Sequence, residues 1–207
     1  MKRFAIVCLV LACAAALGAQ TEASKVGVKA GFSLARIHET ATVPLLFEWQ
    51  NLPFVTGGVF VEGGWGLMAL EAEALYVQMG GKFTIDEANG LKNRFHYIQV
   101  PVQVKVRPVG GGLIRPFVAG GAYGAYLIRA ESYLTADGET AKANVTADYV
   151  RWDVGVLGSA GLTFKLPGMS LSLEGRYNLG LMNILRDPIA GDTIHNRCWM
   201  ALVGLSY

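Results

Sequence analysis

Alternation without a long apolar run is the feature that most constrains this chain. Hydrophobic residues make up 52% of it and charged residues 16%. Beyond the first nineteen positions, however, no stretch reaches the roughly 20 consecutive apolar residues of a membrane-crossing helix. Apolar and small or polar residues take turns instead, which is the period of a strand with two different faces. Ile98, Val100, Val102, Val104 and Val106 share one parity, against Gln99, Pro101, Gln103, Lys105 and Arg107. Trp152, Val154, Val156, Ala160, Leu162 and Phe164 oppose Asp153, Gly155, Ser159, Gly161, Thr163 and Lys165. The chain stops on such a segment: Trp199, Ala201, Val203, Leu205 and Tyr207 alternate with smaller residues. A terminal strand needs a partner or it frays. The first strand is the partner that would close a barrel.

Eight stretches read as strands, near 25–38, 53–64, 67–84, 94–108, 115–131, 150–166, 169–185 and 196–207. Longer connections ("ETATVPLLFEWQNL", "DEANGLKN", "SYLTADGETAKANVTADY", "RDPIAGDTIHN") alternate with shorter ones ("GGWG", "VGGGLI", "LPGM"). An up-and-down barrel puts these at opposite rims, and outer-membrane barrels keep the short turns on the periplasmic side. The predicted fold class is therefore all-β, an eight-stranded antiparallel up-and-down transmembrane β-barrel over residues 20–207.

Residues 1–19 are read as a secretory signal peptide. Lys2 and Arg3 precede the apolar run "FAIVCLVLACAAALGA", with a cut after Ala19. "VLAC" is a poor lipobox that would instead make Cys13 a lipidated terminus. Without this segment the basic count falls from 18 to 16, equal to the 16 acidic residues. Near-neutrality argues against nucleic acid as a partner. Cys198 is the one cysteine left, so neither a disulfide framework nor a cysteine metal site is expected.

The polar parity is sparse: Gly, Ser, Thr and Gln with isolated charges. That suits a narrow interior, with the apolar parity facing lipid. Parity places Lys29, Glu62, Glu71, Glu73, Lys105, Arg107, Asp153, Lys165, Glu174 and Arg176 inside. Confined ions must pair, because an unpaired one costs several kcal/mol, so a lumen salt-bridge network is expected. A narrow ion path or small-ligand site is the functional alternative. Outside, Trp152 and Trp199 near the loop-side ends, with Phe117, Phe164 and Tyr207 near the turn-side ends, are assigned to two interfacial aromatic girdles.

The ending on Tyr207 resembles the C-terminal signal read by the outer-membrane insertion machinery. The ordered segments "YIQVPVQVKVRP", "RPFVAGGAYGAY", "DVGVLGSAGL" and "LEGRYNLGLMNI" resemble the outer-membrane β-barrel family that includes PorT-type proteins. The resemblance covers essentially the whole exported chain. It implies an eight-stranded barrel in the outer membrane of a Gram-negative-type bacterium. It implies no catalytic residues, and for some members it implies assistance to secretion.

Enzyme chemistry finds little support. His38, His96 and His195 are the only histidines, and none lies in a recognisable nucleophile motif. Glu71 and Glu73 could pair for acid–base work, but a structural role with Lys or Arg neighbours fits better. "GGG" at 110–112 joins two strands, which argues against a nucleotide loop. No cofactor or metal is expected. The first long loop is unexpectedly apolar, with Leu45, Leu46, Phe47 and Trp49, and reads as a candidate contact with a surface ligand, a partner protein or the lipid interface. The expected partners are thus outer-membrane lipids, the insertion machinery through the last strand, and a possible surface ligand. The expected role is a structural or surface-interaction barrel with a charge-lined lumen. Narrow-channel transport and a secretion accessory are the alternatives.

Overall fold

A computed structural model describes residues 23–40, 52–84, 89–108, 112–136, 139–185 and 193–207. Nine strands follow in chain order: β1 (Ala23–Thr40), β2 (Leu52–Trp65), β3 (Met68–Thr84), β4 (Gly90–Val106), β5 (Ile114–Ala136), β6 (Glu139–Asn144), β7 (Trp152–Leu166), β8 (Met169–Gly180) and β9 (Thr193–Ser206). All pairings are antiparallel between neighbours, except that β6 is a short addition to the upper part of β5, where β5 also pairs with β4 and, lower down, with β7. The other eight strands form a closed barrel.

Closure is made by β1 and β9, from Gly27 opposite Ser206 to Thr40 opposite Thr193. Tyr207 extends this ladder: its N–H donates to the Val26 carbonyl and its carbonyl accepts from the Val26 N–H, both at 3.2 Å. The terminal strand is therefore a seam strand, tied at its last residue. Glycine makes the tight turns possible. Gly66 between β2 and β3 has φ 59°, and Gly168, after Pro167, has φ 77° between β7 and β8.

The two faces have the reverse polarity of a water-soluble barrel. Val26, Val28, Phe32, Leu34, Val154, Val156, Leu173 and Val203 are exposed, whereas Lys29, Glu71, Gln103, Glu174 and Arg176 are buried. Such a surface belongs in hydrocarbon, and a closed ladder is what hydrocarbon demands of a sheet.

Two site expectations are corrected. Phe117 faces inward and is buried, because it sits on the same parity of β5 as Tyr123 and Ala125. Lys165 keeps the inward parity but lies at the turn-side rim, where it is exposed and enters no ion pair among the described residues. A third difference is β6. The segment read as one long loop folds back on β5 as a hairpin, with Glu131 opposite Asn144 and Ala136 opposite Glu139.

Candidate functional site

Register sets the interior. On β1, odd residues point inward and bring Lys25 opposite Glu62 of β2. Glu62 in turn faces Glu71 of β3, and Glu71 faces Gln103 of β4. Two carboxylates placed directly across a strand pair repel each other. Here a cation joins them: Lys105 Nζ lies 2.5 Å from Glu71 Oε2 and 3.3 Å from Glu62 Oε2. Arg107 adds a contact to Glu62 Oε1 at 2.6 Å.

The centre of the bore is held by Lys29 and Arg176. Lys29 Nζ donates to Glu71 Oε1 at 2.6 Å, Glu73 Oε1 at 2.5 Å and Glu174 Oε2 at 2.8 Å. The Arg176 guanidinium crosses from β8 to β3 and grips Glu73 with Nη1 at 2.8 Å and Nη2 at 2.6 Å. Its Nε and Nη2 also donate to Glu174 at 2.9 and 2.7 Å. Gln103 Nε2 donates to Glu71, and its carbonyl accepts from Ser159 on β7. Strands β1, β2, β3, β4, β7 and β8 are thus linked through the lumen rather than only around the wall. Carboxylate oxygens of Glu71, Glu73 and Glu174 lie within 4.8 Å of one another, a spacing that would suit a metal ion. Lys29 Nζ already bonds all three, so the chain supplies its own cation there.

Aromatic rings complete this layer. Phe60, Phe117 and Tyr123 stand directly opposite Gly27, Gly161 and Gly155 on neighbouring strands. A Cβ at each glycine would come within 2.5–2.6 Å of the ring, so the rings fill the glycine positions. Lys29 and Lys105 rest over the Phe60 and Phe117 faces at 4.9 and 4.7 Å.

Above the charged layer the interior turns apolar. Leu75, Val77 and Met79 follow Glu71 and Glu73 along β3, and Phe95 and Tyr97 face them from β4. Leu127, Cys198 and Met200 complete this upper core, and Val145 and Tyr149 pack on it. Sequence reading missed the change, although inward parity continued through these residues. Asp153 sits here, away from the ion cluster. Its partner is the Asn196 amide at 2.8 Å, and its other oxygen has no hydrogen bond among the described residues.

On the outside, Trp152 packs edge-on against Tyr126 at 4.9 Å, and Trp199 packs at a tilt against Tyr177 at 4.7 Å, both near the loop-side end. Tyr207, Trp65 and half-buried Phe164 lie toward the turn-side rim. Trp65, read as a turn residue, takes the outward turn-side place expected for Phe117. His96 faces outward, its Nδ1 hydrogen-bonded to the Tyr76 hydroxyl at 2.5 Å. The Leu45, Leu46, Phe47 and Trp49 loop and the 1–19 segment lie outside the described residues, as does the His38 side chain.

A closed antiparallel barrel with an apolar exterior and an ion-paired interior defines a transmembrane β-barrel. Residues 18–186 match the profile of the outer membrane protein beta-barrel domain. The chain belongs to that family, and its place is the outer membrane. Solved outer-membrane structures align with the chain at low identity. OprG from Pseudomonas aeruginosa aligns with a TM-score of 0.53 and 11% identity, over 90% of this chain and 96% of that one. Ail, the attachment invasion locus protein of Yersinia pestis, gives 0.45 and 13%, over 89% and 99%. The outer membrane protease OmpT of Escherichia coli gives 0.47 and 10%, over 91% and 97%. No curated protein matches the chain in sequence.

Proposed function

We propose that this barrel is a closed structural and surface-interaction protein of the outer membrane, in which the ion cluster plugs the lumen and the loop-side end carries recognition. The observation behind this reading is Lys29, bonded to Glu71, Glu73 and Glu174 in the middle of the bore, with Arg176 spanning the same gap. Moving a solvated ion past this layer would require parting desolvated charges, at a cost of several kcal/mol per ion. Binding by the loops, including the apolar 45–49 stretch, follows as the remaining way to act on the outside. Planar-bilayer recording tests the reading: the full-length exported protein should give no steady conductance. Stable channels of nanosiemens size would replace it with transport. The order of the four segments that resemble PorT-type barrels supports a second reading, an accessory to secretion. A deletion strain that loses surface-displayed proteins would favour that one.

A further inference from the structure

One wall of the barrel carries a charge ladder that the closed-barrel reading does not use. Above the loop-side girdle, the outward faces of β3 to β6 line up row by row. Tyr76, Ile98, Tyr126 and Trp152 form the girdle row across four strands. The next row is Gln78, His96 and Arg129, then Gly80, Arg94, Glu131 and Asn144, then Lys82, Lys92, Tyr133 and Lys142. Five Lys or Arg side chains thus share this wall with one acid. Glu131 is already occupied: Arg129 Nε is 2.8 Å away, Lys142 Nζ 3.0 Å, and the Tyr133 hydroxyl 2.7 Å. Lys82, Lys92 and Arg94 have no carboxylate partner among the described residues.

That arrangement is unfavourable by itself. Lys82 and Lys92 stand directly opposite each other, and like charges in that position repel. Burial, together with the Arg94 and Lys82 charges, pulls the Lys92 ammonium below the usual lysine range. Arg94 lies over two rings, Tyr133 at 5.7 Å and the buried Phe54 at 5.8 Å, and its Nε is buried without a hydrogen-bond partner among the described residues. An anion from outside the chain would relieve all three strains at once.

The girdle says where that anion comes from. Tyr and Trp rings mark the membrane–water interface. With about 3.4 Å per residue and a strand tilt near 40°, Arg94 rises about 10 Å and Lys92 about 15 Å beyond the Ile98 row. A phospholipid headgroup layer is only about 5–7 Å deep. The cation ladder is taller than that. We propose that the outward loop-side wall of β3–β6 is a binding site for a lipid with a tall, multiply charged anionic headgroup, a phosphorylated glycolipid, with Lys82, Lys92 and Arg94 as its phosphate contacts.

The full-length exported protein, reconstituted in phosphatidylcholine vesicles doped at equal phosphate with either lipopolysaccharide or phosphatidylglycerol, tests this by the lipid that stays bound on extraction into mild detergent. The wild type should retain lipopolysaccharide in preference to phosphatidylglycerol, and excess inorganic phosphate should not displace it. Each cation removed should lower retention about fivefold. Lys82→Gln alters one exposed side chain, and Arg94→Gln a half-buried one. Lys165→Gln, at the opposite rim, should change nothing, and a heat-modifiable gel shift reports that each variant is folded. Unchanged retention in folded Lys82→Gln and Arg94→Gln overturns the site. Equal retention of phosphatidylglycerol, or displacement by inorganic phosphate, overturns its assignment to a glycolipid. Asp86 and Glu87 lie in the 85–88 connection, outside the described residues. A large gain in retention on Asp86→Asn with Glu87→Gln would show that the chain satisfies these cations itself, which also overturns the proposal.

Discussion

The ring of Phe117 occupies the space that a side chain at Gly161 would need, with its Cζ 2.6 Å from where a Cβ would stand. The Leu173 carbonyl closes the same space from the other side. Gly161→Ala should therefore destabilise the barrel by about 1–3 kcal/mol through overpacking. Gly158→Ala, three residues earlier on β7 with nothing near its Cβ position, should be close to neutral. Urea unfolding in lipid vesicles distinguishes them. Equal midpoints for the two variants would mean that both the ring and the Leu173 carbonyl give way to the added methyl group.

Lys29→Met removes the ammonium from three carboxylates at once. Leaving buried ions unpaired costs about 3–5 kcal/mol, and the same vesicle unfolding assay should read a loss of that size. Adding Glu73→Gln to Lys29→Met should return part of it, because the two side chains interact and their effects do not add. An additive cycle would show that Lys29 and Glu73 are not coupled. Steady conductance in Lys29→Met, with none in the parent, would tie the closed bore to this residue.

Glu131 supplies a pH signature for the β5–β6 hairpin. The Tyr133 hydroxyl, with Lys142 and Arg129, draws its carboxyl from 4.5 down to about 2. A carboxyl lowered on folding stabilises fully above its unfolded value and loses that contribution as pH falls through its folded one. The hairpin should thus loosen between about pH 4.5 and about pH 2. Pepsin works in this range. The cleavage rate of the wild type near β6, divided by that of Glu131→Gln, should be well below one at the upper limit and approach one at the lower. A ratio flat across the window would remove Glu131 from the hairpin's stability.

Tyr207→Ala separates ring from backbone. Both hydrogen bonds to Val26 are main-chain bonds and survive the change, while the residue is 85% exposed. The variant should refold in vesicles as the parent does. Its amount in the outer membrane of cells should fall, if the terminal aromatic is read during insertion. Comparable cellular levels would reduce the ring to a girdle residue.

The alternation carried the fold because parity is a local property: Ile98 to Val106 announce two faces without knowledge of any partner. The closing pair was legible for the same reason, since an alternating terminal segment must find an edge. Phe117 shows where parity reading fails. An aromatic on a barrel strand serves equally as a girdle residue or as a ring over glycine, and only the register that sets it opposite Gly161 decides. Lys165 shares its inward parity with Thr163 but stands at a rim, and height along the strand is not written in alternation. The apolar upper core was hidden by the contrast between a polar inside and an apolar outside. Leu75, Val77 and Met79 share the inward parity of Glu71 and Glu73, so polarity alone could not flag them. The β6 hairpin escaped because "ETAKAN" has a single β-branched residue, Thr140, and no aromatic, and pairs only with the far end of β5.

Lys29 belongs to β1 and Glu174 to β8, so their contact passes across β9 and straddles the seam where the first and last strands meet. Parting those strands would drag a lysine and its carboxylates toward acyl chains. The β1–β9 joint is therefore held twice, by its own backbone ladder and by an ion pair that spans it inside the bore, so the first and last strands part only if both give way.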